Sequence, residues 1–72
     1  MTPNMIAALG YLNDKMDAQS HQVGRALFPG ATSEFAARGA AILSRLRLLK
    51  FVSRSPYGWR ITSSGRDFLN GV

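Results

Sequence analysis

The chain has 72 residues, 46% of them hydrophobic and 18% charged, with nine Lys plus Arg against four Asp plus Glu for a formal charge of +5. A chain of this length makes one domain, residues 1–72, that buries about 60% of its unfolded surface, and the composition is that of a folded globule rather than a disordered polar tract. It has no cysteine, which excludes disulfides and thiolate metal sites, and no apolar run approaches the roughly 18 residues of a membrane helix.

In chain order, the first segment reads as a helix from about Pro3 to Met16. Thr2 is a suitable cap, and proline fits the first helical position, where its missing N–H has no partner to lose. Met5, Ile6, Leu9, Leu12 and Met16 recur at the spacing of a helix with one buried stripe, and Gly10 within it is placed for a close helix crossing. Asp17-Ala18-Gln19-Ser20 follows as a short polar connector. A second helix, about Ser20 to Phe28, turns Val23, Leu27 and Phe28 inward and is stopped by Pro29-Gly30. Thr32 or Ser33 caps a third, with Glu34 in its first turn where a negative charge suits the dipole. Phe35, Ile42, Leu43, Leu46 and Leu49 form its apolar stripe, and it ends near Leu49 with Arg47 and Lys50 in the last turn.

The texture then changes. Phe51-Val52-Ser53-Arg54 and Trp59-Arg60-Ile61-Thr62 are rich in β-branched and aromatic residues around the turn sequence Ser55-Pro56-Tyr57-Gly58, which predicts a β-hairpin with Phe51 and Trp59 in the core. Thr62 or Ser63 caps a last short helix that points Phe68 and Leu69 inward and ends at Asn70-Gly71. The expected fold class is therefore mainly α with a small β-hairpin, without internal repeat or interdomain linker.

Charge is segregated along this plan. Between Phe35 and Arg66 there are seven basic residues (Arg38, Arg45, Arg47, Lys50, Arg54, Arg60, Arg66) and no acidic one, a local charge of +7. Lys15 and Arg25 share the rest of the chain with Asp14, Asp17, Glu34 and Asp67, a local charge of −2. Solvating charge would scatter acids through the basic segment, whereas a one-signed surface points to a polyanionic partner. All seven cations are expected on one continuous exterior patch.

The order helix, short turn, second helix, hairpin resembles a winged helix-turn-helix: a three-helix core, a two-stranded wing and a short C-terminal helix. Ala41-Ile42-Leu43-Ser44-Arg45-Leu46 through Lys50-Phe51-Val52-Ser53-Arg54 resembles the end of the recognition helix and the first wing strand of MarR- and PadR-type transcriptional regulators. There the strand reads Gly-Leu-Val-x-Arg; here Lys50 stands in place of the glycine. Gly58-Trp59-Arg60-Ile61-Thr62-Ser63-Ser64-Gly65-Arg66 is similar to their Gly-Tyr-x-Leu-Thr-x-x-Gly-Arg. The resemblance covers about residues 41 to 69. Larger members carry long dimerising helices and ligand domains for which 72 residues leave no room, so any homodimer must use the domain's own faces.

The resemblance implies that the third helix enters the major groove of double-stranded DNA and the wing follows the adjacent backbone, giving a regulator, such as a repressor, that acts by occupying its operator. At about 100° per residue, Arg38 and Arg45 fall on one flank of that helix and Arg47 on the other, while Ala37, Ala41, Ser44 and Leu48 point away from the core. Arg38 is the best candidate to read a base, since its guanidinium matches guanine, with Ser33 and Ala37 beside it. Arg45 is placed for the phosphate backbone, and Ser44 is the hydrogen-bonding DNA-contact candidate on the outward face. On the hairpin, Arg54 and Arg60 are read as facing out while Val52 and Ile61 face in, with Tyr57 at the tip. Arg66 is placed for phosphate from the last helix. The alternative for Arg38 is a flank residue laid over the core.

Alanines on the outward face of the third helix outnumber groups able to hydrogen-bond, and exposed Leu48 would suit a helix–helix contact. A protein–protein module or inhibitor using Ala37, Ala41 and Leu48 against an acidic protein is therefore the second reading, and RNA shares the charge argument. Packing of Leu48 beneath the hairpin or first helix is the alternative for that side chain. Catalysis finds little footing. His21 is the only histidine; Asp17 four residues earlier would make two ligands, too few for a metal site. Asp14 and Asp17 read as a solvated pair, and no serine has a base and orienter in view. No enzyme activity, metal or cofactor is expected. Met1-Thr2-Pro3-Asn4 lacks the basic start of a secretory signal, so the expected location is cytoplasmic.

Overall fold

A computed structural model describes residues 1–71 as four helices and one antiparallel hairpin, in the order α1 (Pro3–Asp14), α2 (Ser20–Leu27), α3 (Phe35–Leu48), β1 (Val52–Ser55), β2 (Gly58–Ile61), α4 (Ser63–Asn70). Thr2 caps α1: its Oγ1 accepts from the Met5 N–H at 3.2 Å. Met5, Ala8, Leu9 and Leu12 are the buried stripe of this helix. The helix stops at Asp14, before the expected Met16, which is 60% exposed. The chain leaves helical geometry at Lys15 (φ −128°, ψ 84°), and Asp17 follows in a left-handed conformation (φ 62°) just before Ala18 meets the hairpin. Gly10 makes no crossing, because a Cβ there would point into open space.

The glycines that matter for packing are Gly24 on α2 and Gly39 on α3. A Cβ on Gly24 would overlap the Phe35 carbonyl, and one on Gly39 would overlap the Ser20 carbonyl, so the two helices meet backbone to backbone. This crossing accounts for a second departure from the sequence reading. Helix α3 begins at Phe35 with Glu34 left-handed at its N-cap (φ 63°) and no side-chain cap, rather than after Thr32 or Ser33. Its start is set by the seat of Phe35 against Gly24, and capping is forgone.

Leu43 and Leu46 of α3 are fully buried, whereas Phe35 and Ile42 are only half-buried and Leu49, expected in the stripe, is 48% exposed. The helix ends at Leu48 in a Schellman turn: the Lys50 N–H donates to the Arg47 carbonyl at 2.9 Å and the Phe51 N–H to the Leu46 carbonyl at 3.0 Å, with Lys50 left-handed (φ 64°) between them. The turn carries Leu49 outward and brings Phe51 in, where its ring stacks on Phe68 with centroids 5.0 Å apart. Lys50 thus occupies, with a side chain, the conformation that glycine adopts most easily.

The hairpin pairs Val52 with Ile61, Ser53 with Arg60, Arg54 with Trp59 and Ser55 with Gly58, leaving Pro56 and Tyr57 as a two-residue tip. The connector before α2 is more than a linker. Ala18 is buried and forms a bridge with Trp59, its N–H donating to the Trp59 carbonyl at 3.1 Å and its carbonyl accepting from the Trp59 N–H at 2.8 Å. Gly58 fits against this bridge at φ 138°; a Cβ there would lie 2.6 Å from the Asp17 carbonyl oxygen. Thr62 caps α4, accepting from the Gly65 N–H at 3.1 Å, and donates to the Lys50 carbonyl at 2.7 Å.

One apolar cluster joins these elements. Leu9, Leu12, Val23, Leu43 and Leu46 are its fully enclosed side chains, and Val52, Trp59 and Ile61 extend it under the hairpin. Full burial of each large aliphatic side chain contributes about 1.5–3 kcal/mol. Among the described residues no helix is long and apolar enough to cross a membrane.

Candidate nucleic-acid interface

The core dictates which parts of α3 are free. With Leu43 and Leu46 turned in, Ala37, Arg38, Ala41, Ser44, Arg45, Arg47 and Leu48 are all exposed. The flanks divide as the helical spacing predicts. Arg38 and Arg45 border a depression of about 360 Å³ floored by Met5, Phe28 and Ile42, between α3 and the start of α1. Ser44, Arg47, Leu48 and Lys50 line a separate open depression of about 530 Å³ at the C-terminal end of the helix.

Arg38 is held at its root. Its guanidinium lies over the Phe28 ring, 5.6 Å from the centroid, and its Nε–H reaches the Ser33 carbonyl at 3.4 Å. This is a weak hydrogen bond with an aromatic support, the arrangement of a side chain laid along the flank with donors to spare. Ser33 stands exposed in the loop before α3, close enough in sequence and space to share a ligand with Arg38. Arg25 is laid on Phe35 in the same manner at 5.2 Å. Leu48 is the most exposed large hydrophobic side chain at 85%; it packs beneath neither the hairpin nor α1.

On the hairpin the two arginines differ. The register sets Arg54 opposite Trp59, two residues from Val52 and therefore on the same pleat face, contrary to the expectation that Arg54 and Arg60 both oppose the apolar residues. Arg54 reaches solvent from the rim of that face, with its guanidinium 5.6 Å from the centre of the Trp59 ring. Arg60 is on the other face and is engaged: its Nε donates to Asp17 Oδ1 and its Nη2 to Asp17 Oδ2, each at 2.9 Å. Ser55 Oγ lies 3.0 Å from the same Oδ1, and the Tyr57 N–H donates to Ser55 Oγ at 3.2 Å. Tyr57 itself stands 72% exposed at the tip, with its carbonyl accepting from Gln19 Nε2 at 2.9 Å. Arg66, on α4, donates to Asn13 Oδ1 of α1 at 3.1 Å.

The seven cations therefore do not form the single free patch expected of them. Four belong to α3 and its terminal turn, split between its two flanks; Arg54 extends from the hairpin; Arg60 is neutralised by Asp17; Arg66 is drawn to α1. Arg47 and Lys50 stand beside Ser44 although they were outside the candidate set, and the i, i+3 spacing of Ser44 and Arg47 was the available signal. Nothing local marks Asp17 as the partner of Arg60, 43 residues away. His21 is exposed, and among the described residues no three His, Asp or Glu side chains gather as a metal site. Comparison of the chain with protein-family models, with curated proteins and with solved structures gives no match.

Proposed function

We propose that the chain is a winged helix-turn-helix protein that binds double-stranded DNA and regulates transcription by occupying its operator, with no catalytic step and no cofactor. The observation that carries this reading is the exposed surface of α3 and its terminal turn: Arg38 and Arg45 on one flank, Arg47 and Lys50 on the other, are all exposed, and no acidic residue lies between Phe35 and Arg66. A 14-residue helix is about 21 Å long and 10–12 Å across, which suits a major groove about 12 Å wide. The loop before α3 and the N-terminal half of the helix supply Ser33, Ala37 and Arg38 for base edges, while Arg45 on one flank and Ser44, Arg47 and, just past the helix end, Lys50 on the other serve phosphates. Arg54 and Tyr57 carry contact to the neighbouring backbone. A face rich in alanine implies binding positioned mainly by phosphate contacts, with modest sequence preference. Such a regulator works in the cytoplasm, as a homodimer or in cooperative arrays.

The test is a gel-shift titration with random and defined duplexes across a salt series. Binding should weaken steeply with salt, since each neutralised phosphate adds about 0.9 to the logarithmic slope. Arg38→Ala should cost about 1–3 kcal/mol on a preferred sequence and less on others, whereas Arg54→Ala should weaken all duplexes alike and flatten the slope by about one contact. Absence of binding at low salt overturns the reading, and preference for structured RNA over duplex in competition redirects it. One observation favours a second reading: Leu48, 85% exposed and rimmed by Arg47 and Lys50, is apolar where phosphate needs a donor. With Ala37 and Ala41 it would suit an acidic protein partner, which fits the case in which duplex DNA does not bind.

A further inference from the structure

Resting on the DNA reading, we infer that Asp17 is a built-in brake on the hairpin: it holds the Arg60 guanidinium out of phosphate contact and so sets how strongly the chain binds DNA irrespective of sequence. Four observations lead here. Arg60 is the one arginine among the described residues in a salt bridge, and the pair is two-pronged, with both contacts at 2.9 Å. A paired fork of this kind matches the geometry in which arginine takes phosphate, so carboxylate and phosphate compete for the same donors. The pair is accessible, with the Arg60 side chain 43% exposed and that of Asp17 28% exposed, so an incoming backbone could reach it. Finally, the hairpin does not depend on the carboxylate for its position. The reciprocal Ala18–Trp59 backbone bonds and the Gln19–Tyr57 bond hold the connector to β2 and the tip without it.

That independence makes the brake separable from the fold. Asparagine tolerates the left-handed conformation of position 17 as well as aspartate does, and its Oδ1 can still accept from Ser55 Oγ. Asp17→Asn therefore removes the charge while keeping the shape. Phosphate binding by the wild type at this point would require giving up the charged Asp17 contacts, which offsets the counterion gain; in the variant at most one neutral hydrogen bond to Oδ1 is given up.

Affinity for a random-sequence duplex, measured by fluorescence anisotropy between about 50 and 300 mM salt, over which the Debye length falls from about 14 to about 6 Å, reads this directly. Asp17→Asn should bind several-fold more tightly at low salt, with a logarithmic salt slope steeper by about 0.9, one phosphate's worth. Arg60→Gln in the wild-type background should leave the slope unchanged, and in the Asp17→Asn background should remove the whole gain. Two results overturn the brake while sparing the DNA reading. One is an Asp17→Asn slope equal to that of the wild type with the Trp59 amide still protected. The other is loss of about one unit of slope in Arg60→Gln alone, which would mean that Arg60 already contacts phosphate. If Asp17→Asn unfolds the hairpin, Asp17→Gly, which takes the left-handed conformation freely, carries the same comparison: a steeper slope than the wild type supports the brake and an equal one overturns it. Wild-type protein that ignores duplex at 50 mM salt overturns both readings together.

Discussion

Two joints in this small protein are built on opposite principles. At the α2–α3 crossing, Gly24 and Gly39 let main chains touch, and neither side has room for another carbon. At the seam between the connector and the hairpin, Gly58 is also seated close against the Asp17 and Ala18 carbonyls, but the side chains meet through hydrogen bonds and one half-exposed ion pair, which can exchange their partners for other polar groups. The first joint fixes the angle at which α3 is presented and has no tolerance. The second fixes where the hairpin stands but leaves its charge adjustable. Close packing is suited to holding a shape and polar contact to setting a strength, because dispersion contacts fail steeply with displacement while a guanidinium accepts any well-placed anion.

The comparison can be broken most directly at the crossing. Gly39→Ala should destabilise by about 3 kcal/mol, since the clash is with backbone that cannot rotate away, and chemical denaturation reads it. An effect below about 1 kcal/mol would show that the helices can slide and that the joint is not rigid. At the seam, neutralising the half-exposed Asp17–Arg60 pair should cost less than about 1 kcal/mol, the usual worth of such pairs. If it costs as much as the glycine substitution, the seam is structural and the contrast disappears. Between them lies the turn after α3. Lys50→Gly relieves a left-handed non-glycine residue and should stabilise by up to about 1 kcal/mol, raising the midpoint of thermal unfolding by a few degrees. The smallest effect belongs to Leu48→Ser, which should change stability by less than about 0.5 kcal/mol because the side chain touches little; a larger loss would mean that Leu48 is covered in solution.

What was legible in the residues follows from range. Periodicity and caps act over three or four positions, so the helix order, Thr2 as a cap, Thr62 as one of two cap candidates and the hairpin between Phe51 and Thr62 could be read directly. The two-flank division of α3 was legible for the same reason. Three features were not. The left-handed turns at Asp17, Glu34 and Lys50 sit on non-glycine residues, so that only the tolerance of aspartate and the glycine that Lys50 replaces hint at them, and they shift boundaries or turn out side chains, as with Met16 and Leu49. Arg54 was misassigned because strand faces depend on register, and one step reverses them. The Asp17–Arg60 pair joins segments 43 residues apart and has no local trace. A basic run in sequence counts charges without subtracting those that the fold has already answered.

The bridge from Ala18 to Trp59 also settles which border of the ribbon stays open. By taking the outward main-chain groups of Trp59, the connector occupies the flank of β2 and makes that strand the middle one locally. Among the described residues, an extended segment from elsewhere seeking a template would find only β1, four residues long, with Arg54 on it and proline just past its end. So brief and guarded a margin is a poor seed for runaway strand stacking.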